Sequence, residues 1–178
     1  MTAVALSLWL VPEGEVEDRY SALIASLAAR LGTPAFVPHV SLLGGLAGPA
    51  DEIAERVAEL ARSLPPIEVS LRAVDWRDEF YRCLFVAADP TPSLLSAHQR
   101  AAEALRAARG APFEPHLSLV YGHLDPARKE AIRAEIGAEQ PATFVARAVH
   151  LFRTEGDPTG WRRVARFPLG RSLLKETR

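Results

Sequence analysis

The chain has 178 residues, enough for one ordinary domain, and its 48% hydrophobic and 24% charged residues exclude a disordered or fibrous protein. A net charge of −1 excludes a strongly basic trap for long nucleic acid and favours a small or terminal phosphate ligand. The lone cysteine, Cys83, excludes an internal disulfide and fits a reducing cytoplasm.

Residues 3–11 form a β-branched and aromatic run closed by Pro12, too short to span a membrane and lacking the basic flank of a signal peptide. The spacing of Val16, Tyr20, Leu23, Ile24, Leu27 and Leu31 predicts a helix over 15–31, stopped by Gly32. A strand is expected over 36–43, and a helix over 50–64 that ends at Pro65 and Pro66. Residues 67–74 alternate as a strand. The order then restarts with a strand over 80–87, a helix over 92–109 and a strand over 113–121. Asp125 and Pro126 are an N-cap and first-turn pair for a helix reaching Ile136, closed by Gly137. Strands over 143–153 and 161–168 follow, and the polar tail 171–178 is expected to fray.

This order is β-α-β-α-β twice, with one added strand. It predicts an α+β fold: a single bilobal domain over 1–178 with halves near 1–75 and 79–153 and the extra strand at 161–168. Each lobe is expected to be a small antiparallel sheet with helices outside, joined at Asp75 to Glu79, with a cleft between the lobes about a pseudo-twofold axis.

The second strand of each half repeats a motif. Phe36-Val37-Pro38-His39-Val40-Ser41-Leu42-Leu43-Gly44-Gly45 matches Phe113-Glu114-Pro115-His116-Leu117-Ser118-Leu119-Val120-Tyr121-Gly122 at six of ten positions. Residues two apart on a strand share a face. His39 and Ser41 therefore point one way, Val40 and Leu42 the other, and the same holds for His116 and Ser118. Two His–Ser pairs facing each other across a cleft suit phosphodiester cleavage. A neutral imidazole takes a proton from water, a protonated one donates to the leaving oxygen, and a pKa of ~6.5 makes both forms accessible. The hydroxyls donate to the non-bridging oxygens. One histidine on a strand is ordinarily structural, but two in matched motifs are not. No His-x-His, Cys pair or acidic cluster accompanies them, so no metal and no cofactor are expected. His98, His123 and His150 lack the motif and are read as structural or solvated.

These paired motifs resemble the two-histidine (2H) phosphoesterase superfamily. Ser7 to Pro12, Phe36 to Ser41 and Pro115 to Tyr121 resemble its cyclic phosphodiesterase branch, although that branch often has Thr where this chain has Ser41. The resemblance spans roughly residues 5–168 and implies a bilobal fold. It also implies metal-independent opening of small cyclic phosphodiesters: nucleoside 2′,3′-cyclic phosphates to 2′-monophosphates, or ADP-ribose 1″,2″-cyclic phosphate. Carried over, His39 and His116 are the acid–base pair, and Ser41 and Ser118 hold the phosphate. Trp9, Tyr81 and Tyr121 match aromatic positions of the substrate pocket. Arg82 stands where the family has a neutral polar residue; it could add a phosphate-pairing charge or simply face solvent, and solvent is the favoured expectation. A soluble cytoplasmic monomer is expected. Two other readings remain open: an RNA-end 2′,3′-cyclic phosphodiesterase or RNA-ligase-like enzyme, and a nucleotide-binding module without turnover.

Overall fold

The computed structural model describes residues 4–107 and 112–170. Its elements are β1 (Val4–Leu10), α1 (Glu15–Leu31), β2 (Val40–Gly48), α2 (Ala50–Ser63), β3 (Ile67–Asp75), β4 (Leu84–Ala88), α3 (Pro92–Ala104), β5 (His116–Val120), α4 (Pro126–Ile136), β6 (Glu139–Ala146), β7 (Ala148–Arg153) and β8 (Arg162–Pro168). The expected α+β class holds. Helix ends follow their punctuation. Gly32 takes the left-handed conformation and returns its N–H to Ala28. Thr91 caps α3 through the Leu94 N–H and Asp125 caps α4 through the Arg128 N–H, each followed by proline at N1. α3 ends at Ala104, short of the expected 109, as Leu105 and Arg106 turn out of the helix with Arg106 at φ 52; residues 108–109 and the expected fraying of 171–178 lie outside the described residues.

The strands form one antiparallel sheet in the order β6-β3-β4-β5-β2-β1-β7-β8. Two four-stranded halves, β6-β3-β4-β5 and β2-β1-β7-β8, are joined through the pair Val40↔Leu117 between β2 and β5. The expected two sheets are thus continuous along the line expected for the cleft. The spatial halves also differ from the sequence halves. β3, from the first half of the chain, pairs with β4 and β6, while β7, from the second, pairs with β1. α1 packs on β5 and β6, α2 on β7 and β8, and α3 on β2 and β3.

Four expected strands change, the simplest being 113–121, which shortens to His116–Val120. The run 143–153 breaks at Arg147 into β6 and β7, because its two parts have different partners, β3 and β1. Residues 80–82 form a 3₁₀ turn ahead of β4, in which the Arg82 N–H reaches the Glu79 carbonyl. β2 starts only at Val40 and runs on to Gly48, with Gly45 at φ 67 bending the strand where the register against β1 shifts. His39 therefore sits at the mouth of its strand.

The core lies between sheet and helices. Leu6, Leu8, Leu10, Val40, Leu42, Leu117 and Leu119 are fully buried there, and their neighbours in sequence, including His39, Ser41, His116 and Ser118, turn to the opposite face. Because Val40 and Leu117 make the joint, packing there holds the two halves in register. Leu117→Ala should lower stability by about 2–5 kcal/mol, read as a drop in urea midpoint. A loss below about 1 kcal/mol would show that the halves are held together elsewhere.

Candidate active site

A cavity of about 430 Å³ opens on the face opposite the helices, and its lining includes His39, Ser41, His116 and Ser118. An antiparallel register about Val40↔Leu117 sets His39 opposite Ser118 and Ser41 opposite His116. Each imidazole thus faces the serine of the other motif.

The two rings are held in the same way. His39 Nδ1 lies 2.6 Å from the Val37 carbonyl, and His116 Nδ1 lies 2.8 Å from the Glu114 carbonyl. A carbonyl only accepts, so Nδ1 carries the proton in both rings, and in the neutral ring Nε2 is the nitrogen with the lone pair. The residue between each histidine and its carbonyl is proline, Pro38 or Pro115. Its fixed φ holds the backbone that returns the carbonyl to the ring.

Beyond this shared bond the environments differ. His39 is 4% exposed, its ring stacks on Trp9 at 3.5 Å, and the Tyr121 hydroxyl lies 3.4 Å from Nε2. Burial pushes its pKa down to about 3; the Val37 carbonyl opposes that shift, and a charge on His116 would add to it. His116 is more open. Burial again lowers its pKa, the Glu114 carbonyl opposing, with Arg82 lowering it and the Glu114 carboxylate raising it.

Ser41 lines the cavity, half-buried. Ser118 is buried and donates its hydroxyl proton to the Tyr81 carbonyl at 3.0 Å, so only its lone pairs are free. Trp9 is enclosed, with Phe152 stacked against it at 4.0 Å. Tyr121 is buried against Phe36 at 3.8 Å, and burial raises its hydroxyl pKa. Tyr81 stands at the rim, 52% exposed. All seven residues singled out in the sequence line this one cavity.

Several others were missed. Trp161 joins the aromatic wall, 5.7–5.9 Å from Trp9, Tyr81 and Tyr121. Its signal was a lone tryptophan just after a Gly/Asp/Pro turn, with no core stripe to join. Ser7 and Thr154, hydrogen-bonded at 2.9 Å, and Gly44 line the cavity too. Arg82 corrects an expectation: it lines the cavity beside Glu79 and does not simply face solvent, because Glu79 and Glu114 grip its guanidinium.

The remaining histidines lie apart. His98 Nδ1 is 2.8 Å from the Leu42 carbonyl, and its ring stacks on Phe113 at 4.0 Å. A carbonyl partner makes that nitrogen a donor. His123 sits edge-on to Phe80. His150 is buried beneath Arg163, and burial together with the Arg163 and Arg166 charges pushes its pKa down to about 4. Among the described residues there is no group of three His, Cys, Asp or Glu side chains placed to hold a metal ion, and no helix long and apolar enough to cross a membrane.

Comparison with known proteins follows the same lines. A sequence model of the 2′-5′ RNA ligase superfamily matches residues 8–158. A cyclic phosphodiesterase of Arabidopsis thaliana is 27% identical over 124 residues, covering 70% of this chain and 68% of that protein. The crystal structure of TT0787 of Thermus thermophilus superposes with a TM-score of 0.66 at 19% identity, covering 93% of this chain and 97% of that one. E. coli LigT in its apo form gives 0.63 at 15% identity, covering 96% and 99%. The same LigT is also known in complexes with phosphate and with 3′-AMP.

The buried histidines make stability pH-dependent. An unfolded histidine titrates near ~6.5, whereas folded His39 and His150 titrate at about 3 and about 4. Between those values the unfolded chain binds more protons, so stability falls as pH falls. From pH 7 to pH 5 the expected loss is on the order of 2 kcal/mol for each of the two. Carboxylates contribute only closer to their own range near ~4. Urea midpoints should drop across this window, and less in His150→Asn. Equal midpoints at pH 7 and pH 5 would show that both rings protonate freely in the fold.

Proposed function

The chain belongs to the 2′-5′ RNA ligase superfamily, and we propose that it is a metal-independent phosphodiesterase that opens small cyclic phosphodiesters. The substrates are nucleoside 2′,3′-cyclic phosphates or ADP-ribose 1″,2″-cyclic phosphate. The observation that carries this reading is the matched pair of imidazoles on one cavity, each with Nδ1–H tied to a carbonyl so that Nε2 is the nitrogen left for proton transfer, with the Tyr121 hydroxyl 3.4 Å from that of His39. The Arabidopsis cyclic phosphodiesterase supports the reaction class, and the LigT complex with 3′-AMP supports a nucleotide-sized ligand.

The two environments assign the roles. His39, enclosed by Trp9 and Tyr121, is neutral near neutral pH and acts as the base. Its Nε2 takes a proton from water as the water oxygen bonds to phosphorus. His116, more open and close to the Glu114 and Glu79 carboxylates, is the acid. Its Nε2–H passes to O3′ as the P–O3′ bond breaks, leaving a 2′-monophosphate. One water is consumed, and proton exchange with solvent resets the pair. The phosphorane's negative charge between the rings favours an imidazolium on either side, so the base strengthens as the reaction proceeds. Ser41 donates to a non-bridging oxygen, and Ser118 turns its hydroxyl proton from the Tyr81 carbonyl to the other. Trp161, Tyr81 and Tyr121 offer aromatic surface to a base or ribose. No residue of this scheme requires a membrane or a second subunit.

His39→Ala and His116→Ala should each lower kcat by ~10²–10⁴ fold on 2′,3′-cyclic AMP in EDTA, with 2′-AMP as the wild-type product. Full activity in either folded variant would remove that histidine from the chemistry. The optimum for kcat/KM should also be acidic. The base must be unprotonated and the acid protonated in the free enzyme, and both pKa values lie below the ordinary 6.5. The optimum is therefore expected below pH 6.5; one above pH 7 would count against His116 as the acid.

A further inference from the structure

Among the described residues, Glu79 and Arg82 are the only carboxylate and guanidinium in the lining of the cavity, and they sit on its His116 side. The guanidinium has two distinct partners. Its Nη1 donates to Glu114 Oε2 at 2.7 Å, and Glu114 is the residue whose main-chain carbonyl holds the His116 ring. Its other edge, Nε with Nη2, donates to the two carboxylate oxygens of Glu79 at 3.0 and 2.6 Å. Glu114 thus ties Arg82 to the backbone of the catalytic motif. Glu79 covers the fork on the cavity side: it lies three residues away on the same turn and lines the cavity, which Glu114 does not. Both carboxylates are about half exposed, at 55% and 54%, so water competes for each, and an anion entering the cavity meets the Glu79 side first.

The Nε/Nη2 edge of arginine binds two oxygens of one planar or tetrahedral anion side by side, and phosphate fits it as a carboxylate does. We propose that Arg82 is the anchor for a second phosphate on the substrate, and that Glu79 occupies that fork until the phosphate displaces it. This rests on the cyclic phosphodiesterase reading above and names its substrate class: a nucleoside 2′,3′-cyclic phosphate that carries a further phosphate on its 5′ carbon. With Glu79 displaced, Glu114 still holds the guanidinium, and Arg77, 3.8 Å from Glu114, offsets that carboxylate.

The chemistry of the sugar agrees with this placement. O3′, protonated by His116, is borne by C3′, whose neighbour C4′ carries C5′ and its phosphate. The base is borne by C1′, next to C2′. A substrate with O3′ at His116 therefore sends its 5′ phosphate toward Arg82. Its base goes toward His39, where Trp9, Tyr121 and Trp161 gather.

The test is binding of two product-like ligands, 2′-AMP and adenosine 2′,5′-bisphosphate, by calorimetry at fixed low salt. Wild type should bind the bisphosphate about 10- to 100-fold more tightly, the range of a charge-assisted hydrogen-bonded contact. Arg82→Gln should bring that ratio close to one, and Glu79→Gln, which weakens the cover, should raise it. Each ratio compares two ligands on one protein, so a general loss of affinity cancels. A wild-type ratio near one overturns the inference without any variant, and so does a preference that survives in Arg82→Gln. A 2′-phosphorylated ApA dinucleotide is the third ligand: it should bind more weakly than the bisphosphate. Tighter, Arg82-dependent binding of the dinucleotide would instead assign the fork to an internucleotide linkage of RNA and overturn the small-substrate form. Hydrolysis of 2′,3′-cyclic AMP is scored separately. Turnover without the bisphosphate preference removes Arg82 from the scheme and leaves the reaction standing, and the preference without turnover does the reverse.

Discussion

Everything distinctive about this cavity depends on one short hydrogen bond made twice: a histidine Nδ1–H returned to the carbonyl two residues back. Without it, each imidazole would rotate and exchange its two nitrogens, and the reactive lone pair would be aimed only part of the time. With it, the tautomer is set by the partner's chemistry, since a carbonyl has no proton to give. The bond is local in sequence, so it forms wherever the backbone of Val37-Pro38-His39 or Glu114-Pro115-His116 takes the right shape. Proline restricts that shape before any tertiary contact is made. The remaining task of the fold is to bring two such preset units to the same place.

That task falls on the joint between β2 and β5. Both units stand next to the pair Val40↔Leu117, and the apolar side chains of that pair are anchored in the core on the far side of the sheet. The histidines therefore inherit their mutual position from buried packing rather than from polar contacts in a wet cleft. The crossing of β3 and β7 between the spatial halves has the same effect on a larger scale, because neither half of the chain completes a lobe alone. Opening the cleft widely would part β2 from β5 and pull on the chain where it crosses between the spatial halves, from β2 to β3 and from β6 to β7.

The motif was legible in the sequence because strand periodicity and repetition are both local properties. His39, Ser41, His116 and Ser118 needed only a period of two and a matched register to be placed on one face. The helices were legible for a similar reason, since Gly32, Thr91-Pro92 and Asp125-Pro126 punctuate them chemically. What was not legible was pairing at a distance. Residues 143–153 read as one apolar run, and nothing local says that Ala146 pairs with Ile67 while Ala148 pairs with Pro168. Trp161 escaped for the same reason, and Arg82 stood between a phosphate-pairing role and solvent. Each is an isolated side chain whose role comes from neighbours far away in the sequence. Charge pairing with Glu114 in particular turned Arg82 inward, where its sequence context suggested water.

For the proposed reaction, duplication alone does not make the site. Hydrolysis of a phosphodiester needs unlike partners, one ring without a proton on Nε2 and one with it, and a perfectly symmetric pair would have to break its symmetry at each turnover. Here the identical motif residues supply like geometry, and the residues around them supply the difference. Trp9 and Tyr121 enclose His39 in apolar surface that rejects charge, whereas Arg82, Glu79 and Glu114 surround His116 with ions that hold water and tolerate charge. The same division separates the two ends of the cavity into an aromatic side and an ionic side. A ligand with a base at one end and a phosphate at the other then has one orientation in which both ends are satisfied. In the proposed reaction that orientation would present the same ester oxygen to the acid each time, so the asymmetry that divides the proposed proton-transfer roles would also select which P–O bond breaks.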